Sequence, residues 1–225
     1  MIIIKRFLIQ LRNLINNIFQ EKNNKASLNP DEQKLGMYWE NDFADILETW
    51  GEAHVWNEIQ LLCANCKGTI LDIACGTGAA IKKLQSNPHL DVYGFDISDL
   101  LINRAVQKGI NSDKLKVTDA TKTDYDDSSF DYSYSIGSLE HFTEDGIDCF
   151  IKETFRYTKT ASFHQIPISK SGENHGWITT SQSYFNNNED WWLQKFKKYY
   201  PSVQIITSGW QDNISIGKWF LCFKD

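Results

Sequence analysis

The stretch TILDIACGTGAA, residues 69–80, constrains this chain more than any other. Ile70, Leu71, Ile73 and Ala74 form an apolar run of strand length, interrupted only by Asp72. Gly76 and Gly78 then make a tight turn, and Thr77, Ala79 and Ala80 open a helix. A buried strand that passes through a glycine turn into a helix is a β–α unit, and such units cover both faces of a parallel sheet. The rest of the chain repeats the alternation. DVYGFDIS, KLKVTDA, FDYSYSIG and ASFHQIPI read as further strands, with helices over DLLINRAVQKG and GIDCFIKETFRYT between them. NEDWWLQKFKKYY is a late helix stopped by Pro201, and VQIITS and ISIGKWFLCF close the chain as a hairpin. The expectation is an α/β three-layer sandwich around a seven-stranded, mostly parallel sheet.

Ahead of this domain, taken as residues 67–225, lie two different segments. MIIIKRFLIQLRNLINNIF places Ile4, Phe7, Leu8, Leu11, Leu14, Ile15 and Ile18 at helical spacing with Lys5, Arg6 and Arg12 between them. The interruption at Lys5 and Arg6 leaves less than the roughly 20 apolar residues of a membrane span. No small-residue cleavage site follows an apolar core, so a signal peptide is not expected. An amphipathic helix that packs on the domain, on a second copy as a homodimer, or on a membrane surface fits residues 1–30 with their polar linker. Residues 31–66 read as an N-terminal helical cap rich in aromatics, with Tyr38, Trp39, Trp50 and Trp56 able to line a pocket or simply to pack.

The formal charge of −6 is uneven: residues 1–25 carry four net positive charges, leaving about ten net negative on the remainder. That balance argues against a nucleic-acid surface and for a small-molecule acceptor. Five cysteines without disulfide density point to a reducing, cytoplasmic setting. Cys63 and Cys66 form a C-x-x-C with no second pair for zinc, so they read as two thiols near a helix end, and Cys149 and Cys222 as core positions. No metal site is expected; Asp124, Asp126 and Asp127 read as a solvated loop.

What the glycine turn holds can be argued by elimination. A dinucleotide fingerprint wants a third glycine where Ile81 stands, and a phosphate loop wants a lysine that is absent. Asp72, just before the turn, suits a cationic ligand group and would repel a pyrophosphate.

With Asp72, Ala74, Gly76 and Gly78 in this order, the chain resembles class I S-adenosylmethionine-dependent methyltransferases over roughly residues 65–167. The resemblance implies S-adenosylmethionine as cofactor and a Rossmann-like sheet of order 3-2-1-4-5-7-6 with the last strand antiparallel. It implies that Asp96, 24 residues after Asp72 at the end of VYGFD, binds the ribose hydroxyls and that Ile97 packs on adenine. Asp119 and Ala120 of TDAT are similar to the adenine-edge pair, and Ser135 to Gly137 would lie near the methionine part. Ala74 stands where the family often has glycine.

A general base for a hydroxyl acceptor is sought in His141, after the fourth strand, or in His164, on the fifth. Tyr38 and Trp39 of the cap, with His175 and Trp177 of the loop after strand five, are candidate acceptor contacts. No N-P-P-Y or D-P-P-Y follows strand four, which speaks against methylation of a nucleobase amine. The C-terminal half looks like methyltransferases of polysaccharide biosynthesis clusters, so a hydroxyl of a sugar or sugar-linked metabolite is the expected acceptor. Another small metabolite, or a non-catalytic nucleoside-binding relative, is the alternative.

Overall fold

The computed structural model describes residues 33–225 apart from Ala53; the amphipathic helix and linker expected over residues 1–30 lie outside the described residues. The seven-stranded sheet is present. Its strands are β1 (Gly68–Ile73), β2 (Leu90–Asp96), β3 (Leu115–Val117), β4 (Phe130–Ile136), β5 (Thr158–Ser169), β8 (Ser202–Gln211) and β9 (Ser215–Phe223). They lie in the order β3-β2-β1-β4-β5-β9-β8. Pairing is parallel from β3 through β5, and β9 runs antiparallel to both β5 and β8. The register Ile70↔Tyr132 through Ile73↔Ser135 sets the carboxyl ends of β1 and β4 side by side, which is where ligands of open α/β sheets collect.

Side-chain alternation along β1 divides the interior into two cores. Ile70 joins the layer formed by α2 (Val55–Leu62), α3 (Ala79–Leu84) and α4 (Asp99–Gln107). Leu71 and Ile73 join the opposite layer, formed by α5 (Glu144–Tyr157) and α6 (Glu189–Lys197). The sequence accounts for these helices locally. Ser98, Thr143 and Asn188 each accept a hydrogen bond from a backbone N–H of the first turn, at Leu101, Gly146 and Trp191. The late-helix aromatics are core as expected, with Trp192 and Phe196 fully buried.

Two boundaries differ from the sequence reading. β5 begins at Thr158, directly after Tyr157, and a two-stranded ribbon, β6 (Trp177–Ile178) with β7 (Tyr184–Phe185), is added in the loop beyond it. Segments of two residues have no periodicity to detect. One cysteine also moves: Cys149 is exposed on α5, because the buried face of that helix is taken by Ile147, Phe150 and Ile151.

The region read as a helical cap separates into two parts. α2 belongs to the core through Val55, Trp56 and Ile59, and Glu58 ties it to the terminal hairpin by accepting from Gly209 N–H and Trp219 Nε1–H, both at 2.6 Å. The 3₁₀ turn Gly36–Trp39 and α1 (Asn41–Leu47) lie over α4 instead. Ser98 Oγ donates to the Tyr38 carbonyl (2.6 Å) and Arg104 reaches Asn41, Asp45 and Glu48, with Lys108 pairing Glu48 at 3.0 Å. Among the described residues, no helix is long and apolar enough to cross a membrane.

Candidate functional site

A cavity of about 320 Å³ opens at the carboxyl ends of β1, β2 and β4 and is roofed by α1 and the 3₁₀ turn before it. Its floor is the glycine turn. Gly76 has φ 54°, and its N–H donates to Asp96 Oδ2 at 2.9 Å, while Asp96 Oδ1 accepts from Ser98 N–H at 3.0 Å. One carboxylate thus fastens the turn after β1 to the turn after β2. Ala74 also sits in the left-handed region, φ 55°, where glycine would be unstrained.

Three aspartates line the cavity, Asp72, Asp96 and Asp119, and none of the described lining residues is a lysine or arginine. Burial pushes the Asp72 carboxyl well above the usual carboxylate range; the nearby Tyr134 hydroxyl opposes the shift, and the Asp96 charge adds to it. Burial likewise raises Asp96 to about 6, against backbone N–H groups of Ser98, Gly76 and Ile97 that favour the ionised form. Asp72 Oδ2 has no hydrogen-bond partner among the described residues. An orphaned buried carboxylate oxygen in an acid-lined cavity is costly until a donor or a cation reaches it. These residues therefore fit a ligand carrying a sulfonium and an ammonium group. Asp119 is placed by its own loop, accepting from Thr121 N–H and Oγ1 at 2.8 Å, and Ile97 and Ala120 line the same end.

At the other end stand Tyr38, Ser138, His141, Thr143 and Gln182. His141 Nδ1–H donates to the Ser183 carbonyl at 2.9 Å, which assigns that nitrogen the proton and leaves Nε2 as the basic atom. Burial pulls the imidazole down to about 4, the Ser183 bond opposing, so it is neutral at pH 7. Tyr38 is pushed up to about 12 by burial, and Gln182 Nε2 donates to its hydroxyl at 3.2 Å. This end is polar and uncharged.

The structure corrects six of the expected site positions. Ser135 and His164 point to the opposite face of the sheet from Tyr134 and Ile136, since consecutive strand residues alternate. Ser135 Oγ meets His164 Nδ1 at 2.8 Å, His164 Nε2 meets Ser162 Oγ at 3.0 Å, and the ring stacks on Phe196. Burial pulls His164 down to about 3, so it is a sequestered core histidine rather than a base in the cavity. Gly78 does not line the cavity; at φ 75°, a Cβ there would come within 2.2 Å of Ile110 Cδ1, so its role is close packing. Trp39 is 44% exposed and donates from Nε1 to Asp99 Oδ1 at 2.8 Å, outside the cavity. His175 bonds Ser171 on the surface, and Trp177 packs on Phe185 beside a separate shallow depression. From the same loop the fold brings in Gln182 and Ser183, which no motif marked. The cap supplies Phe43, Leu47, Trp50 and Trp56 as apolar lining.

The acids expected to be solvated are so: Asp124 pairs Lys116 and Asp127 pairs Arg156 at 3.0 Å. No cluster of three or more metal-ligating side chains occurs among the described residues.

Comparison with known proteins agrees with this geometry. Residues 70–161 match the family described as methyltransferase domain. A stretch of 78 residues is 33% identical to phosphoethanolamine N-methyltransferase 3 of Arabidopsis thaliana, covering 33% of this chain and 16% of that relative. The chain thus spans about one sixth of that relative's length. Among solved structures, a putative methyltransferase of Haloferax volcanii in complex with its Trm112 activator superposes with a TM-score of 0.68. It is 13% identical, over 86% of this chain and 98% of that one. Phosphoethanolamine N-methyltransferase 2 of Haemonchus contortus, in complex with phosphomonomethylethanolamine and S-adenosylhomocysteine, gives 0.61 at 16% identity, over 81% and 56% of the two chains.

Proposed function

We propose that the chain is a class I S-adenosylmethionine-dependent methyltransferase, as the family match over residues 70–161 and the acid-lined cavity support, and that it methylates a hydroxyl of a small, uncharged acceptor. A sugar or sugar-linked metabolite is the preferred class. Asp72, Asp96, Ile97, Asp119 and Ala120 would hold the cofactor, which supplies an electrophilic methyl on a sulfonium. The chain's own residues then orient the acceptor, exclude water and take a proton.

The observation that carries this reading is the uncharged acceptor end, with Tyr38, Gln182 and Ser138 around a neutral His141. Hydroxyls hydrogen-bond to such groups, and the indoles of Trp50 and Trp56 suit the apolar faces of a sugar. A phosphate-bearing acceptor would want an arginine or lysine, which the described lining lacks. The second reading, N-methylation of a phosphobase, is favoured by the Arabidopsis and Haemonchus relatives.

In this reading His141 Nε2 removes the hydroxyl proton as the methyl arrives. His141→Asn is expected to lower turnover by roughly 10²–10⁴ and to leave cofactor affinity unchanged. The assay is release of S-adenosylhomocysteine with a panel of neutral sugars and with phosphoethanolamine. Turnover confined to phosphoethanolamine would replace this reading with the second, and a variant within threefold of the parent would remove His141 as the base. A cytoplasmic location, with residues 1–20 docking on a membrane surface or a second copy, belongs to the same proposal. Liposome co-sedimentation and sedimentation velocity of a chain lacking them test it.

A further inference from the structure

Next to His141, in the same 3₁₀ turn Leu139–His141, is a residue to which the sequence assigns no role. Glu140 is 3% exposed, its Oε1 lies 3.6 Å from His141 Nε2, and its Oε2 has no hydrogen-bond partner among the described residues. A carboxyl group in the interior with a free oxygen costs stability, and such groups cluster where chemistry needs them. We propose that Glu140 is the positioning residue behind His141, its carboxylate stabilising the imidazolium that forms as the acceptor hydroxyl loses its proton. The inference rests on the reading of His141 as the base.

The geometry assigns each atom a part. Nδ1–H is held by the Ser183 carbonyl, which fixes the ring and its tautomer. Nε2 lies beside Glu140, and the ring lines the cavity. As the oxygen–methyl bond forms, the carbon–sulfur bond breaks with its electron pair left on sulfur, and the O–H proton moves to Nε2. Nε2 keeps that proton, and ionised Glu140, 3.6 Å away, balances the imidazolium charge. The sulfonium charge is replaced by the imidazolium charge, so the net charge of the site is unchanged by the step.

The groups facing Glu140 agree with this part. The phenols of Tyr38, from the roof, and Tyr184, from β7, both feel its charge, with Asp96 and Asp212 acting on the same two rings. Apart from His141, no cationic side chain pairs with Glu140 among the described residues. Burial pushes its carboxyl up to about 8, its own backbone N–H opposing. Ionised Glu140, the form that stabilises the imidazolium, therefore accumulates as pH rises towards that value.

The test needs no acceptor. ¹⁵N resonances of histidine-labelled protein are followed from pH 5 to 10, with His141 assigned by their loss in His141→Asn. The expected result is a shift of Nε2 with a midpoint near 8 while Nδ1 stays protonated. Glu140→Gln should abolish that step and Glu140→Asp should keep a displaced one. A parent without the step, or a step that persists in Glu140→Gln, overturns the proposal. If Glu140→Gln does not fold, the Glu140→Asp displacement decides: an unmoved midpoint overturns it. Loss of turnover in His141→Asn with no such step would leave the base reading standing and remove only Glu140. Parental turnover in His141→Asn would remove both.

Discussion

Asp96 fastens two turns with one side chain. Its two oxygens accept backbone N–H bonds from Gly76 and Ser98, and a carboxylate has further lone pairs for a ligand donor. Asp96→Ala should weaken binding of the methyl donor by about 1.5–3 kcal/mol, the scale for lost hydrogen bonds to a charged group. Calorimetric titration measures it, and unchanged affinity in a folded variant would show that Asp96 serves only the two turns. Ala74 makes the opposite case. Its φ of 55° strains any residue with a Cβ, so Ala74→Gly should raise stability by roughly 1 kcal/mol, about 2–4 °C in Tm. An unchanged or lower Tm would mean that the freedom glycine gains in the unfolded chain outweighs the relief. Both positions were legible from the motif, because the turn demands particular residue types at particular spacings. Glu140, Gln182 and Ser183 were not, because nothing in their immediate sequence marks which polar residue the fold will bury or turn inward.

Parity along a strand decides which residues of β4 meet the cavity. The sequence reading placed Ser135 near the ligand, yet Tyr134 and Ile136 face that side, and Ser135 turns with His164 towards α5 and α6. β4 does alternate, with Phe130, Tyr132, Tyr134 and Ile136 between Asp131, Ser133 and Ser135, but both faces of the strand are covered, so the alternation does not say which of them borders the cavity. The roof element raises a different point. The 3₁₀ turn and α1 are held to α4 largely through polar contacts, Arg104 to Asn41, Asp45 and Glu48 and Lys108 to Glu48. Solvent-exposed ion pairs hold weakly and are screened by salt. Arg104→Met keeps the stem and removes the charge, so cofactor release should speed up about two- to fivefold at low salt, with the difference shrinking as salt rises. Stopped-flow displacement of bound cofactor reads this; an unaltered release rate would show that Phe43, Leu47 and Tyr38 hold the roof by packing alone.

Across the whole molecule, the buried titratable groups set how stability follows pH. Glu140 and Asp96 have raised values, about 8 against an ordinary 4.5 and about 6 against 3.8, so the folded chain binds their protons more tightly than the unfolded one. Their effect is a loss of stability as pH rises between those values. His141 and His164 are lowered to about 4 and about 3 from 6.5, so stability is lost as pH falls below 6.5. Above 6.5 the histidines no longer contribute, and the raised carboxyls of Glu140 and Asp72 act in the same direction. Stability of the ligand-free protein, and with it Tm, should therefore fall between pH 6.5 and 8, Glu140 contributing at most about 1.4 kcal/mol per pH unit, and Glu140→Gln should make the fall shallower. Calorimetric melts at matched ionic strength check this, and an equal slope in both proteins would contradict it. The alternation of strands and helices and the acid-glycine turn were determined by the sequence alone, because strand and helix periodicities and turn geometry act over neighbouring residues; the sheet order and the antiparallel β9 were implied by the family resemblance and are present in the fold. Which face of β4 opens to the cavity, that α2 joins the core while α1 roofs the site, and that Glu140 lies behind His141 were decided only in the tertiary structure. These depend on burial and on contacts between residues far apart in the chain, and both follow from how the layers close on one another.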